Sequence, residues 1–180
     1  MLELKRDDWT TLAAQGSASA VPQAIADLLS AKTVEQAEEA YWRIDNTVVV
    51  QGKLFEAAVP TLRLVLTSIH QCAAVARPLA LELLVQLASG SNEPADDGTL
   101  ARQCRRELVY ELSYVFSLVE HGALEERMHC VDLLGLCVHA DRTLLPRVRW
   151  YFEELVRQKC PEQLGKLIRS TLEDLTSIDP

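Results

Sequence analysis

The chain is poor in the residues from which most active sites are built. Aromatics make up 6% of its 180 residues, and it has four histidines and five cysteines. No Ser stands in a GxSxG setting, and no Cys-His-Asn arrangement emerges from spacing. His70 and Cys72 are two residues apart, and His129 and Cys130 are adjacent, so on a helix each pair diverges. No HExxH and no i, i+4 histidine pair occurs. Cys130 and Cys137 share a helix face but lie two turns, about 10 Å, apart, too far to hold one zinc without other ligands. With His129, Asp132 and His139 nearby, they still read as packed core cysteines. There is no CxxC pair, and the odd cysteine count offers no disulfide framework. Glycine-rich phosphate cradles are missing too, because the seven glycines are isolated. The expectation is a protein with no catalytic residue, no metal and no cofactor: not an enzyme.

Positive charge is equally thin. Net charge is −8, with 7 basic and 10 acidic side chains in residues 1–90 and 11 and 16 in residues 91–180. The best basic clusters, "RQCRR" (Arg102, Arg105, Arg106) and "RVRW" (Arg147, Arg149), are small and flanked by carboxylates. A nucleic-acid surface needs a concentrated basic patch to displace counterions, so nucleic acid is not an expected ligand. The opening "MLELKRDDWTTL" has no apolar export core, and "LVLTSIHQCAAVA" (64–76) is too short and polar to span a bilayer. These features imply a cytoplasmic chain without a membrane partner. An acidic surface suits a basic protein partner, or simply solubility.

What the chain does have is a long succession of helix signals. Apolar residues recur at i, i+3, i+4 spacing between short turns, in a sequence 48% apolar and 24% charged. A weak opening helix is predicted at 7–15, then helices at about 21–31, 33–51, 54–71, 76–88, 100–120, 124–139, 145–158 and 161–176. Thr33 is the expected N-cap of the third, with Gln36 completing a capping box. Four glycines, 52, 90, 98 and 122, fall at the breaks, and "GSNEPADDG" (90–98) is the one turn-rich acidic loop. Val48 to Val50 disfavour a helix by roughly 0.5 kcal/mol each against Ala. Burying one of them returns about 1.5–3 kcal/mol, and a four-residue strand there has no visible partner. The helix is therefore expected to run to Gly52, and Pro60 to bend the next one.

Short connections pair the helices into hairpins at about 20–51, 53–89, 99–140 and 144–177, a single domain of roughly 36- to 40-residue periods. The expected fold is all-α, a right-handed α-solenoid of HEAT or armadillo type, with a globular helical bundle as the alternative. On the third helix Glu35, Glu38, Trp42, Asp45 and Val49 form a stripe beside the apolar one, three acids around one Trp. That stripe is a candidate anchor for a basic partner. In a solenoid the second helices line one surface, which adds Glu82 and Gln86 from the fifth helix and Glu125, His129 and Asp132 from the seventh.

In "AYWRIDNTVVVQGKLFEAAVPTLRLVLTSI" the chain resembles bacterial HEAT-like proteins with an aromatic-x-x-Asn helix end, then Gln-Gly, then an Ala-Ala-x-Pro helix. The matching residues are Trp42, Asn46, Gln51, Gly52, Ala57, Ala58 and Pro60, with Val50 where some members carry His. Such proteins are often encoded beside polymorphic toxins or type VI secretion effectors and look like immunity proteins. The resemblance implies a protein that neutralises a cognate toxin by covering its active or substrate-binding site. It supplies no binding residue, so the contact candidates rest on charge and helix geometry. A HEAT-like scaffold in a cellular complex is the alternative, and a HEAT-like DNA glycosylase is disfavoured by the acidic charge.

Overall fold

The structure is a computed structural model that describes residues 2–91 and 99–177. It is all-α: nine α-helices and one minimal β-hairpin stand among the described residues. None of the helices is long and apolar enough to cross a membrane. The chain divides into two compact units, Met1–Tyr110 and Glu111–Pro180.

The first unit holds α1 (Val21–Ser30), α2 (Val34–Val48), β1 (Val49–Val50), β2 (Lys53–Leu54), α3 (Ala58–Ser68), α4 (Arg77–Ser89) and α5 (Thr99–Tyr110). Its centre is α3, where Leu62, Leu64 and Val65 are fully enclosed and helices α1, α4 and α5 pack around it. Helix α2 lies on α1 and α4, seated by Ala37, Tyr41, Ile44 and Val48, while Val34, the first apolar residue of the same helical period, is exposed. Thr33 caps α2 as expected by accepting the Gln36 N–H at 3.3 Å. The Gln36 side chain returns to the N–H of Lys32, one residue before the cap.

The second unit holds α6 (Leu112–His121), α7 (Leu124–Ala140), α8 (Leu145–Arg157) and α9 (Glu162–Thr176). Helix α7 is its core, touching all three others through Cys130, Leu133, Leu134, Cys137 and Val138. Burial pushes the Cys104 and Cys137 thiols up to about 12 and raises that of Cys130, which marks all three as inert packing groups. The buried Glu126 carboxylate accepts the Ala123 N–H at 2.7 Å and closes the start of α7.

Several sequence expectations are overturned. Helix α2 stops at Val48, and Val49–Val50 pair antiparallel with Lys53–Leu54 through a two-residue turn. Both turn residues, Gln51 (φ 51°) and Gly52 (φ 77°), lie in the left-handed region, which matches a hairpin turn to the strand twist. The strand partner is supplied by the residues just after the glycine. Pro60 bends nothing, because α3 begins at Ala58 and puts the proline in the first turn, where no N–H is missed. The helix expected at 100–120 is broken at Glu111 (φ −112°, ψ 23°). Its first half belongs to the core of α3 and α4, its second to that of α7. The helix expected at 7–15 does not form. Asp8 accepts both the Thr10 N–H (3.1 Å) and the Thr10 hydroxyl (2.6 Å), a local turn that competes with helix. Farther along, the Gln15 N–H is taken by Thr47 O. The loop 90–98 lies outside the described residues apart from Gly90 and Ser91.

The hairpin is tied to the end of α4. Leu54 N–H donates to Ser91 O (2.9 Å), Ser91 N–H donates to Gly52 O (2.8 Å), and Leu54 rests on Gly90. A Cβ at Gly90 would sit 2.6 Å from Leu54 Cδ2 and 3.1 Å from Gln86 O. Gly90→Ala is therefore expected to destabilise the protein by about 1–3 kcal/mol, read as a lower urea midpoint. On α3 the wholly buried Thr61 hydroxyl has no hydrogen-bond partner among the described residues. Thr61→Val should raise stability by about 1 kcal/mol in the same assay, because it removes a desolvated polar group without changing the shape of the side chain.

Candidate protein-binding surface

Packing of α2 on α4 assembles a small acidic cluster from residues that are 41 positions apart. Tyr41 belongs to the buried stripe of α2 and is 3% exposed, so its hydroxyl has to find a partner. It donates to Glu82 Oε1 on α4 at 3.4 Å and also hydrogen-bonds Asp45, one turn along α2. Neither Asp45 nor Glu82 makes an ion pair among the described residues. The pair is half-buried, and the price is visible in Asp45. Its carboxyl is raised above the usual range, first by burial and then by the neighbouring Glu82, with the Tyr41 hydrogen bond opposing. Tyr41 is raised as well, by burial and then by Asp45 and Glu82.

Beside this cluster Trp42 stands 54% exposed, edge-on to Tyr41 with ring centroids 5.1 Å apart and planes at 82°. The contact holds the indole in one orientation while leaving its area open to solvent. Glu38, one turn before it, is exposed. Glu35 lies in the first turn, its carboxyl held below the usual range by its own N–H and by Thr33. Gln86 is half-buried one turn beyond Glu82. Val49 left the stripe, because it sits in β1 and is buried.

The remaining candidates belong to the second unit. On α7 Glu125 is exposed, and His129 and Asp132 are half-buried. The Asp132 carboxyl is raised by burial, offset in part by His129. Among the described residues no group of three or more His, Cys, Asp or Glu side chains is arranged to hold a metal ion. Helical spacing places Tyr41 on the inner stripe of α2 and by itself reports only a core residue. The signal was present, since a tyrosine on an inner stripe carries a hydroxyl that needs an acceptor on the facing helix.

Chemically, two half-buried carboxylates without an ion-pair partner among the described residues, next to an open indole, have the charge and the aromatic face that a guanidinium or ammonium group can engage. No protein-family model matches the chain, and neither a curated protein nor a solved structure matches it.

A raised carboxyl means that folded Asp45 keeps its proton at a pH where the unfolded chain has lost it. Stability then falls as pH rises from the ordinary carboxylate range through the raised value, and ionised Asp45 opposes folding at neutral pH. Asp45→Asn is expected to raise the urea midpoint at pH 7. Below pH 3 it should leave the midpoint close to that of the parent, where both side chains are neutral.

Proposed function

We propose that this chain is a non-enzymatic binding protein that neutralises a cognate bacterial toxin or secreted effector by covering its active or substrate-binding site. One observation carries the reading: the Asp45–Glu82 pair, half-buried around the Tyr41 hydroxyl without a cation, beside the open face of Trp42. Such a pair costs the free protein stability and is relieved by a basic group from outside. The net charge of −8 favours the same kind of partner, a protein with a basic cleft, by steering its approach. Trp42 adds contact area that slows dissociation. The resemblance of residues 40–69 to HEAT-like immunity proteins gives the partner its class. Consecutive helices α1–α2 and α3–α4 in one unit, and α6–α7 and α8–α9 in the other, pack as pairs, as an α-hairpin repeat requires.

The test is co-expression and co-purification with the product of the adjacent gene. A stable complex and protection of the host are expected, with Trp42→Ala or Asp45→Lys weakening the complex by about 10- to 30-fold. Absence of both complex and protection would overturn the proposal. A complex indifferent to both substitutions would remove this face from it.

A further inference from the structure

The second unit carries its own open indole, on a helix that the sequence reading did not single out for binding. Helix α8 buries Val148, Phe152 and Leu155, yet Trp150 is 58% exposed. It does not lie on a flat surface. Trp150 borders a cavity of about 350 Å³, lined also by Tyr151, Glu154, Leu155 and Arg157 of α8, by Gln158 just after it and by Glu120 of α6. A second lobe of about 290 Å³ shares Trp150, Glu154 and Arg157 and adds Glu153. The larger lobe falls at the low end of the roughly 300–1,000 Å³ typical of ligand sites.

The groove is built before anything enters it. Tyr151 is fixed by Phe116 of α6, 4.8 Å between ring centroids, and by the Arg147 guanidinium 5.9 Å from its own. Trp150 stands edge-on to Tyr151 at 5.2 Å and 85°. Glu154 is held by Gln158, whose Nε2 donates to Oε1 at 2.8 Å, and by an ion pair with Arg157. The lining charges are three carboxylates, Glu120, Glu153 and Glu154, against the single Arg157. His121 Nε2 lies 3.8 Å from Glu120 Oε1, and its side chain is 71% exposed.

These features select a cation with an apolar or planar body. We propose that the Trp150 groove docks an arginine side chain from an exposed basic segment of a partner protein. The guanidinium stacks on the indole and reaches Glu120 and Glu154. Two features of the same unit show the chemistry. Arg147 places its guanidinium 4.0 Å over the Phe116 ring, and Arg157 already sits on Glu154. The Arg157 pair spans three residues, with Arg157 75% exposed. Glu154 is 23% exposed, and an incoming arginine exchanges with Arg157 by replacing one guanidinium with another, so the carboxylate stays paired. This site is built from residues of the second unit alone and stands whether or not the partner is a toxin.

The experiment is a titration of the full-length, ¹⁵N-labelled protein with the peptide acetyl-Gly-Arg-Gly-Arg-Gly-amide. It follows the indole N–H signals of Trp9, Trp42 and Trp150, with the last identified by its loss in Trp150→Phe. The Trp150 signal is expected to move saturably. Glu120→Gln and Glu154→Gln should each weaken binding by about threefold, and together by about tenfold. A peptide with citrulline in place of arginine should leave the signal in place. The proposal is overturned if Trp150 does not move, if all exposed indoles move alike, or if the citrulline peptide binds equally well. Movement of Trp42 alone would also overturn it while leaving the Trp42 face intact. Failure at Trp150 leaves the outcome of the adjacent-gene experiment unchanged, so the two readings fail separately.

Discussion

The arrangement of the first unit depends on the corner at Val49–Leu54. A turn of two left-handed residues, Gln51 and Gly52, folds the chain back within six positions and returns it as α3. Leu54 then seals the corner against Gly90 at the end of α4, and two backbone bonds to Ser91 hold it there. The left-handed conformation of Gln51 costs on the order of 1 kcal/mol, and burying Leu54 offsets it. With the corner anchored to α4, helix α2 has to lie along α4, and this contact is what places Asp45 opposite Glu82.

The acidic cluster follows from that packing. Two carboxylates share one tyrosine hydroxyl in a half-buried setting, an arrangement that folding alone does not favour. Stabilising interactions elsewhere tolerate it, among them Arg63, whose guanidinium gathers Glu107 at 2.9 Å, Asp7 at 3.4 Å and Glu3 at 3.8 Å. The two clusters treat acid groups in opposite ways. Around Arg63 the negative charge is matched by a largely buried cation, and the result is a structural clasp for the N-terminal segment. Around Tyr41 it is unmatched and borders an open indole, the arrangement on which the proposed binding of a basic partner rests.

Much of the helical framework was legible in the residues. Apolar spacing and punctuation located α1, α4, α7, α8 and α9 within a residue or two, because each carries apolar residues at helical spacing between short breaks. Thr33 and Gln36 marked the start of α2 for the same local reason. The exposed positions of Glu35, Glu38 and Trp42 were likewise readable from helix period. Legibility failed where a segment's partner lies elsewhere. The Val49–Val50 strand needed Lys53–Leu54, and the break at Glu111 needed two separate cores for one continuous apolar stripe. Turns around Asp8 replaced the weak opening helix through side-chain bonds that no periodicity reports.

Composition and pattern by themselves determined that this chain is all-α, acidic, and built of helices separated by short turns. Those properties arise from neighbours three or four residues apart. Tertiary structure alone decided that Tyr41 would serve both core and surface. It also decided that Asp45 would meet Glu82 across 37 positions, and that Trp150 would open into a groove with Glu120. The physical reason is that the energy of a charge or a hydroxyl depends on burial and on what faces it, and both are set by which helices pack together.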